Sequence, residues 1–225
     1  MKLLKWDFLL FSRYYVIQIS LVLAVLYGLS FYLLGQGLSF ELFLVLFCSE
    51  TMIMSIMYSG TLALLDKSQS TFSALSVIPQ PIHRIYIERS LVLALIGCLG
   101  GVFLLVGYGL ISSILLALPL LFLLVMACSL QGFFLGHGAQ GFTDFLLRVV
   151  GLCMTYLIPF ASLFWNSGHW VWWLFPGYPL IHYFKYALSG ETNFLSLLLP
   201  YIQATAYLFL SVYLLKRKLE NLPQS

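Results

Sequence analysis

The stretch 85-IYIERSLVLALIGCLGGVFLLVGYGLISSILLALPLLFLLVMACSLQGFFLG-136 decides the fold. After its opening polar residues it is continuously apolar, interrupted only by a tight turn near Gly107, Gly109 and Ser112. Each half is long enough to cross a hydrocarbon core of ~30 Å, which takes ~20 residues of helix. A membrane β-barrel would instead show segments of ~10 residues with alternating hydrophobicity, and no such alternation is present. Two helical spans are predicted, at about 85–111 and 113–136.

The same texture extends outward through the chain. Of 225 residues, 61% are hydrophobic and 8% are charged, and the mean hydropathy is +0.98. A soluble domain carries roughly 25% charged residues. A fold in water cannot hide this much apolar surface, so the bilayer is the solvent. Inside a bilayer only helices and closed barrels satisfy their backbone polar groups. The expectation is an all-α polytopic membrane protein, one domain over 1–225, with six transmembrane helices at about 14–34, 40–65, 85–111, 113–136, 147–165 and 194–215. There is no internal repeat and almost no soluble mass. The opening MKLLKWDFLLFSR is basic, but no small-residue cleavage site closes the apolar run that follows, so a cleaved signal peptide is not expected.

The net charge of +3 reflects orientation rather than nucleic-acid binding, because the basic residues sit at span ends. Ten of the 11 lie on one predicted side, Lys185 being the exception. The positive-inside rule then places both termini and the segment between spans two and three in the cytoplasm. Trp165, Trp170, Trp172 and Trp173 gather on the opposite side, as an interfacial aromatic belt would. Segment 166–193 there is apolar but broken by Pro176, Gly177 and Pro179, with one short helix at 180–188. It reads as a re-entrant or interfacial hairpin before span six, tolerable only if packed on protein or lining a cavity.

One polar passage breaks the pattern: 66-DKSQSTFSALSVIPQPIHRIYIERS-90. Over 66–78 it reads as a short amphipathic helix. Asp66 is placed to N-cap it, with Gln69 three residues on as an approximate capping box. Thr71, Phe72, Leu75 and Ile78 share one arc, and Gln69, Ser73 and Ser76 the other. Pro79 biases Ile78 out of the helix. Such a segment is either an ordinary surface helix or a docking element for a cytoplasmic partner.

Asp66-Lys67, Ser70-Thr71-Phe72, Leu75, Pro79 and Arg89 resemble the corresponding segment of ABC-2 type transporter permeases. The usual pattern there is acidic-basic, two residues, Gly-Thr-Leu, a Leu, Thr-Pro, and a Lys about ten residues later. Here Ser70 stands for the Gly, Ile78 for the Thr and Arg89 for the Lys. The frame of six spans, cytoplasmic termini and a broken hairpin before the last span is also similar. The resemblance implies that 66–78 is a coupling helix docking in a separate ATP-binding cassette ATPase subunit. It further implies that two permease chains form the path, as a homo- or heterodimer in a bacterial cytoplasmic (inner) membrane. The cargo it implies is hydrophobic or amphipathic, drug- or antibiotic-like first, with lipid, haem or glycan as alternatives.

ATP and Mg would be bound by that partner, since this chain has no Gly-x-x-x-x-Gly-Lys-[Ser/Thr] loop to cradle phosphate. Its one Lys-Ser pair, Lys67-Ser68, follows Asp66 rather than Gly. No cofactor and no enzymatic activity of its own are expected.

Glu50 is the one carboxylate well inside a span, nine residues from Glu41 and so ~14 Å deep. An intramembrane charge is costly and marks a functional site by default. With Met54 and Met57 at i+4 and i+7 it outlines a candidate cargo path. The alternatives are a protonated Glu50 bonded across a helix or dimer contact, or a stand-alone secondary transporter or channel using it. Glu88 and Arg89 read as an interfacial ion pair or snorkelling anchor, or as residues holding the coupling helix. Asp144 and Arg148 read as a helical pair. His83, His137, His169 and His182 are divided between the two sides and cannot form one metal site. Cys48, Cys98, Cys128 and Cys153 lie in apolar runs and read as free thiols.

Overall fold

In the computed structural model, the described residues are 9, 11–13, 15–34, 39–69, 81–110, 114–164, 170–189 and 194–220. They form helices and contain no strand. We label the helices α1 (Val16–Leu34), α2 (Phe40–Ser68), α3 (Ile82–Tyr108), α4 (Ile114–Gly138), α5 (Phe142–Leu163), α6 (Tyr178–Ser189) and α7 (Phe194–Glu220). Five of these, α2, α3, α4, α5 and α7, are long and apolar enough to cross a membrane. The apolar part of α1 is shorter, Ile17–Leu33. The chain is thus a multi-pass helical membrane protein by the length and composition of its helices.

Helix α4 is the centre of the bundle. It packs against α2, α3 and α7 and also touches α5, while α1 lies along α3 and α6 along α7. Without a hydrophobic force between helices in lipid, close backbone approach and polar contacts hold such crossings together. The α2–α4 crossing has both. A Cβ on Gly132 would sit 2.4 Å from Ile56 O, and one on Gly136 would sit 2.4 Å from Gly60 O. Glycine is therefore required at both positions, four residues apart on one face of α4. Beside them Ser55 Oγ lies 2.7 Å from Ser129 Oγ, and Ser55 also donates to Val125 O.

The turn after α3 is a helix stop built on Gly109, whose φ of 88° suits glycine best. Gly109 N–H donates to Val106 O and Leu110 N–H to Leu105 O, the Schellman arrangement that satisfies the last carbonyls. This is the tight turn expected between spans three and four. Pro159, the 3-10 turn Ile158–Phe160 and the short helical segment to Phe164 end α5.

The two ends of the bundle differ in chemistry. At one, Phe11, Leu62, Tyr86, Phe133 and Leu215 form a buried cluster beneath Lys67, Arg89 and Lys218, which we call the basic end. At the other, Phe43 stacks on Tyr108 at 4.0 Å and packs against Phe31, and Phe47 meets Phe184 of α6 edge-on. Segment 170–189 belongs to this end. It forms a 3-10 turn, Trp170–Leu174, then α6, whose Leu180, Ile181, Tyr183 and Phe184 are buried. Its backbone is held by α7: Gln203 Nε2 donates to Trp173 O and Phe175 O, and the Tyr207 hydroxyl to Leu174 O. Trp165 and His169 lie outside the described residues.

Candidate functional site

The charged residues of the polar passage converge at the basic end. Helix α2 continues to Ser68, so Asp66 lies in its last turn rather than capping a new helix. The N-cap expectation is overturned by burial: Asp66 turns into the bundle, where its carboxylate accepts from Arg89 Nη1 and from the Tyr86 hydroxyl at 3.2 Å. Asp66 and Arg89 are both buried. Arg89 therefore does not snorkel to an interface. Its guanidinium lies 5.5 Å from the centroid of the Tyr86 ring, within cation–π range. Glu88 pairs instead with Arg84, at 3.4 Å. The Tyr86 ring is clamped between Phe133 at 4.9 Å and the edge of His137 at 4.7 Å, both on α4.

Lys67 works in the opposite direction. Its Nζ donates to Ala139 O at 2.8 Å, beyond the end of α4. A cation is favoured at a helix C-terminus, where unsatisfied carbonyls concentrate negative charge. Asp144 and Arg148 form their helical pair at 2.9 Å, and Asp144 also accepts from Gln140 N–H. The adjacent acidic and basic residues thus tie the end of α2 to α3 and to the α4–α5 turn. The end of α2 that enters 70–80 is held by the buried Asp66–Arg89 pair on one side and by the exposed Lys67 on the other. Ser70, Thr71, Phe72, Leu75 and Pro79 lie outside the described residues. Lys67, Ser68, Thr61, Gln140 and Phe142 border a cavity of about 350 Å³ beside the stem.

Glu50 lies in a π-helical turn, Ser49–Ile53, set inside α2. Such one-turn insertions recur at functional sites. The extra residue breaks the regular 100° spacing that joined Glu50, Met54 and Met57. Met54 borders the same cavity as Glu50, whereas Met57 packs against the main hydrophobic core. That cavity, about 40 Å³, lies between α1, α2 and α3. Drug-sized sites span ~300–1,000 Å³, so in this arrangement the space fits water rather than cargo.

The sequence reading missed Tyr86, His137 and the paired glycines of α4. The Gly132-x-x-x-Gly136 spacing is a known helix-crossing signal and was available. Tyr86 and His137 carry no local signal, since their role exists only where α3 meets α4. Among the described residues no group of three or more His, Cys, Asp or Glu is placed to hold a metal ion, and the four cysteines are free thiols. Comparison with protein-family models, curated proteins and solved structures finds no match to this chain.

Proposed function

We propose that this chain is the permease subunit of an ATP-driven exporter of the ABC-2 type. It works as one of two permease chains in a bacterial cytoplasmic membrane and moves a hydrophobic or amphipathic compound, drug- or antibiotic-like first. ATP and Mg belong to a separate ATPase subunit that grips the 66–78 segment at the cytoplasmic, basic end. One observation carries the reading most: of the charged residues of the motif, Asp66 pairs with Arg89 inside the bundle and Lys67 reaches Ala139 O past the end of α4, so the end of α2 that enters the segment is tied to α3 and to the α4–α5 turn. A push on a segment tied in this way reaches α2, α3 and α4 together. A free surface helix would need no such anchorage.

The experiment is a pull-down of the tagged chain from its native membrane into nanodiscs, with ATP hydrolysis assayed on what stays bound. A stoichiometric ATPase lost on Leu75→Asp supports the reading. Absence of any ATPase, with the chain intact, removes it.

A second reading is favoured by Glu50 and its cavity: a secondary transporter or channel driven by an ion gradient. Abolishing the gradient while supplying ATP separates the two. Transport that survives belongs to the exporter, and transport that stops belongs to the alternative.

A further inference from the structure

The cavity beside Glu50 has walls of unequal chemistry. Ser20 and Tyr58 line it beside Glu50, together with Thr51 and Ser55, whose hydroxyls are engaged by Phe47 O and by Val125 O and Ser129 on α4. Leu93, Ile96 and Leu104 of α3 supply apolar wall, and Ala24, Gly97 and Gly100 keep α1 and α3 slim enough to leave the space. A cavity needs about 10–15 Å³ to admit one water, and the water needs two to four polar partners. A volume of about 40 Å³ lined by Glu50, Ser20 and Tyr58 meets both conditions. No Lys, Arg or His borders the cavity, and Glu50 makes no ion pair among the described residues. Tyr58 is the only other titratable side chain there, and α1 and α3 contribute none. An ionised carboxylate without a cation, at this depth in hydrocarbon, would be severely penalised.

We propose that this cavity is a proton-binding site: Glu50, half-buried beside it, is carried as the neutral acid, hydrogen-bonded within the cavity, while α1, α2 and α3 are packed together. Loosening of α1 from the other two would admit water and let the proton leave. The inference is independent of the exporter reading, because it concerns the charge state of one side chain and not what drives transport. It identifies the ligand of the site as a proton and not the cargo.

The test is infrared spectroscopy of the full chain in nanodiscs, taking the wild-type minus Glu50→Gln difference between pH 5 and pH 7. An ordinary glutamate, with a pKa near 4.3, loses its neutral form roughly a hundredfold over that interval. The neutral-acid band of Glu50 should fall less than threefold. A fall near a hundredfold, or a carboxylate band already present at pH 5, overturns the proposal. Should the variant fold poorly, the wild type alone serves, using a membrane-soluble carbodiimide that attacks neutral carboxyls, with the adduct located by peptide mass. Equal labelling of Glu50 at pH 5 and pH 7 supports the proposal. Labelling that collapses by pH 7, or is absent while other carboxyls react, overturns it.

Discussion

Asp66 and Arg89 show how much one buried contact decides. Together they satisfy each other, and Tyr86 takes part of the remaining acceptor capacity of the carboxylate. Apart, each would leave a charge stranded in a space with little water. Removing one partner of a buried pair typically costs ~3–5 kcal/mol, whereas replacing both by apolar groups is often neutral. Asp66→Leu or Arg89→Met alone should therefore destabilise by about 3 kcal/mol or more, and the double variant should recover most of that. Thermal unfolding of all four forms in one detergent, read as a double-mutant cycle, checks it. If the double variant is as unstable as the sum of the singles, the pair is not the unit described here. His182 offers a second residue-scale expectation. It packs against Trp173 at 4.7 Å and Tyr186 at 4.4 Å, and its Nδ1 is buried without a hydrogen-bond partner among the described residues. Burial, with Lys185 adding to it, lowers its pKa from 6.5 to about 4. The folded state then resists a proton that the unfolded state accepts. Stability from neutral His182 is full above pH 6.5 and is lost as pH falls toward 4. Proteolysis of the 170–189 region should accelerate across that interval, and His182→Phe should flatten the profile.

Helices α2 and α4 carry the element-scale lesson. Their approach depends on Gly132 and Gly136, so Gly132→Ala should destabilise by about 1–3 kcal/mol, the usual range for overpacking, because the added methyl meets the Ile56 backbone as well as the Ser59 hydroxyl. Gly151 of α5 is the control. A Cβ there meets nothing within 4 Å, and Gly151→Ala should stabilise by about 0.5–1 kcal/mol through helix propensity. Opposite signs in thermal unfolding of the two variants would establish that crossing distance matters and not glycine content. The long apolar runs made α3 and α4 legible from sequence, since length and composition act locally. The stop at Gly109 was legible for the same reason. The end of α2 was not: Asp66 followed by Gln69 has the local pattern of a helix start. The partner that holds Asp66 inside the bundle, Arg89, lies 23 residues later and is invisible to a local pattern. The π-turn at Ser49–Ile53 was equally hidden, because nothing in SETMI announces an extra residue per turn; beyond it Met57 packs against the main core and does not line the cavity beside Glu50.

At the scale of the whole molecule, the question is whether α1 crosses the membrane. It has 19 helical residues, about 28 Å at 1.5 Å each, just short of a ~30 Å core. We propose that it crosses, on the strength of its position. It runs along α3, with Gly28 and Gly107 close enough that a Cβ on Gly107 would lie 2.3 Å from Gly28 O. Gly107 is the residue before Tyr108, the last of α3, so this contact is at the aromatic end, while Phe11 is buried at the basic end with Leu215 and Leu219 of α7. Chain leaving the basic end at Phe11 and touching α3 near Gly107 has traversed the bundle. Single cysteines placed at Arg13, Ser39, Gln140 and Trp170, in a chain freed of Cys48, Cys98, Cys128 and Cys153, report this through a membrane-impermeant thiol reagent. Six crossings put Arg13 and Gln140 on one face and Ser39 and Trp170 on the other. With an odd number of crossings, α1 lying flat and five helices spanning, Arg13 and Ser39 would label from the same face. The positive-inside expectation sets the faces: Arg13 and Gln140 should react only after the reagent is given access to the cytoplasm. Labelling of Gln140 from outside intact cells would invert the orientation and with it remove the site at which a cytoplasmic ATPase could reach the 66–78 segment.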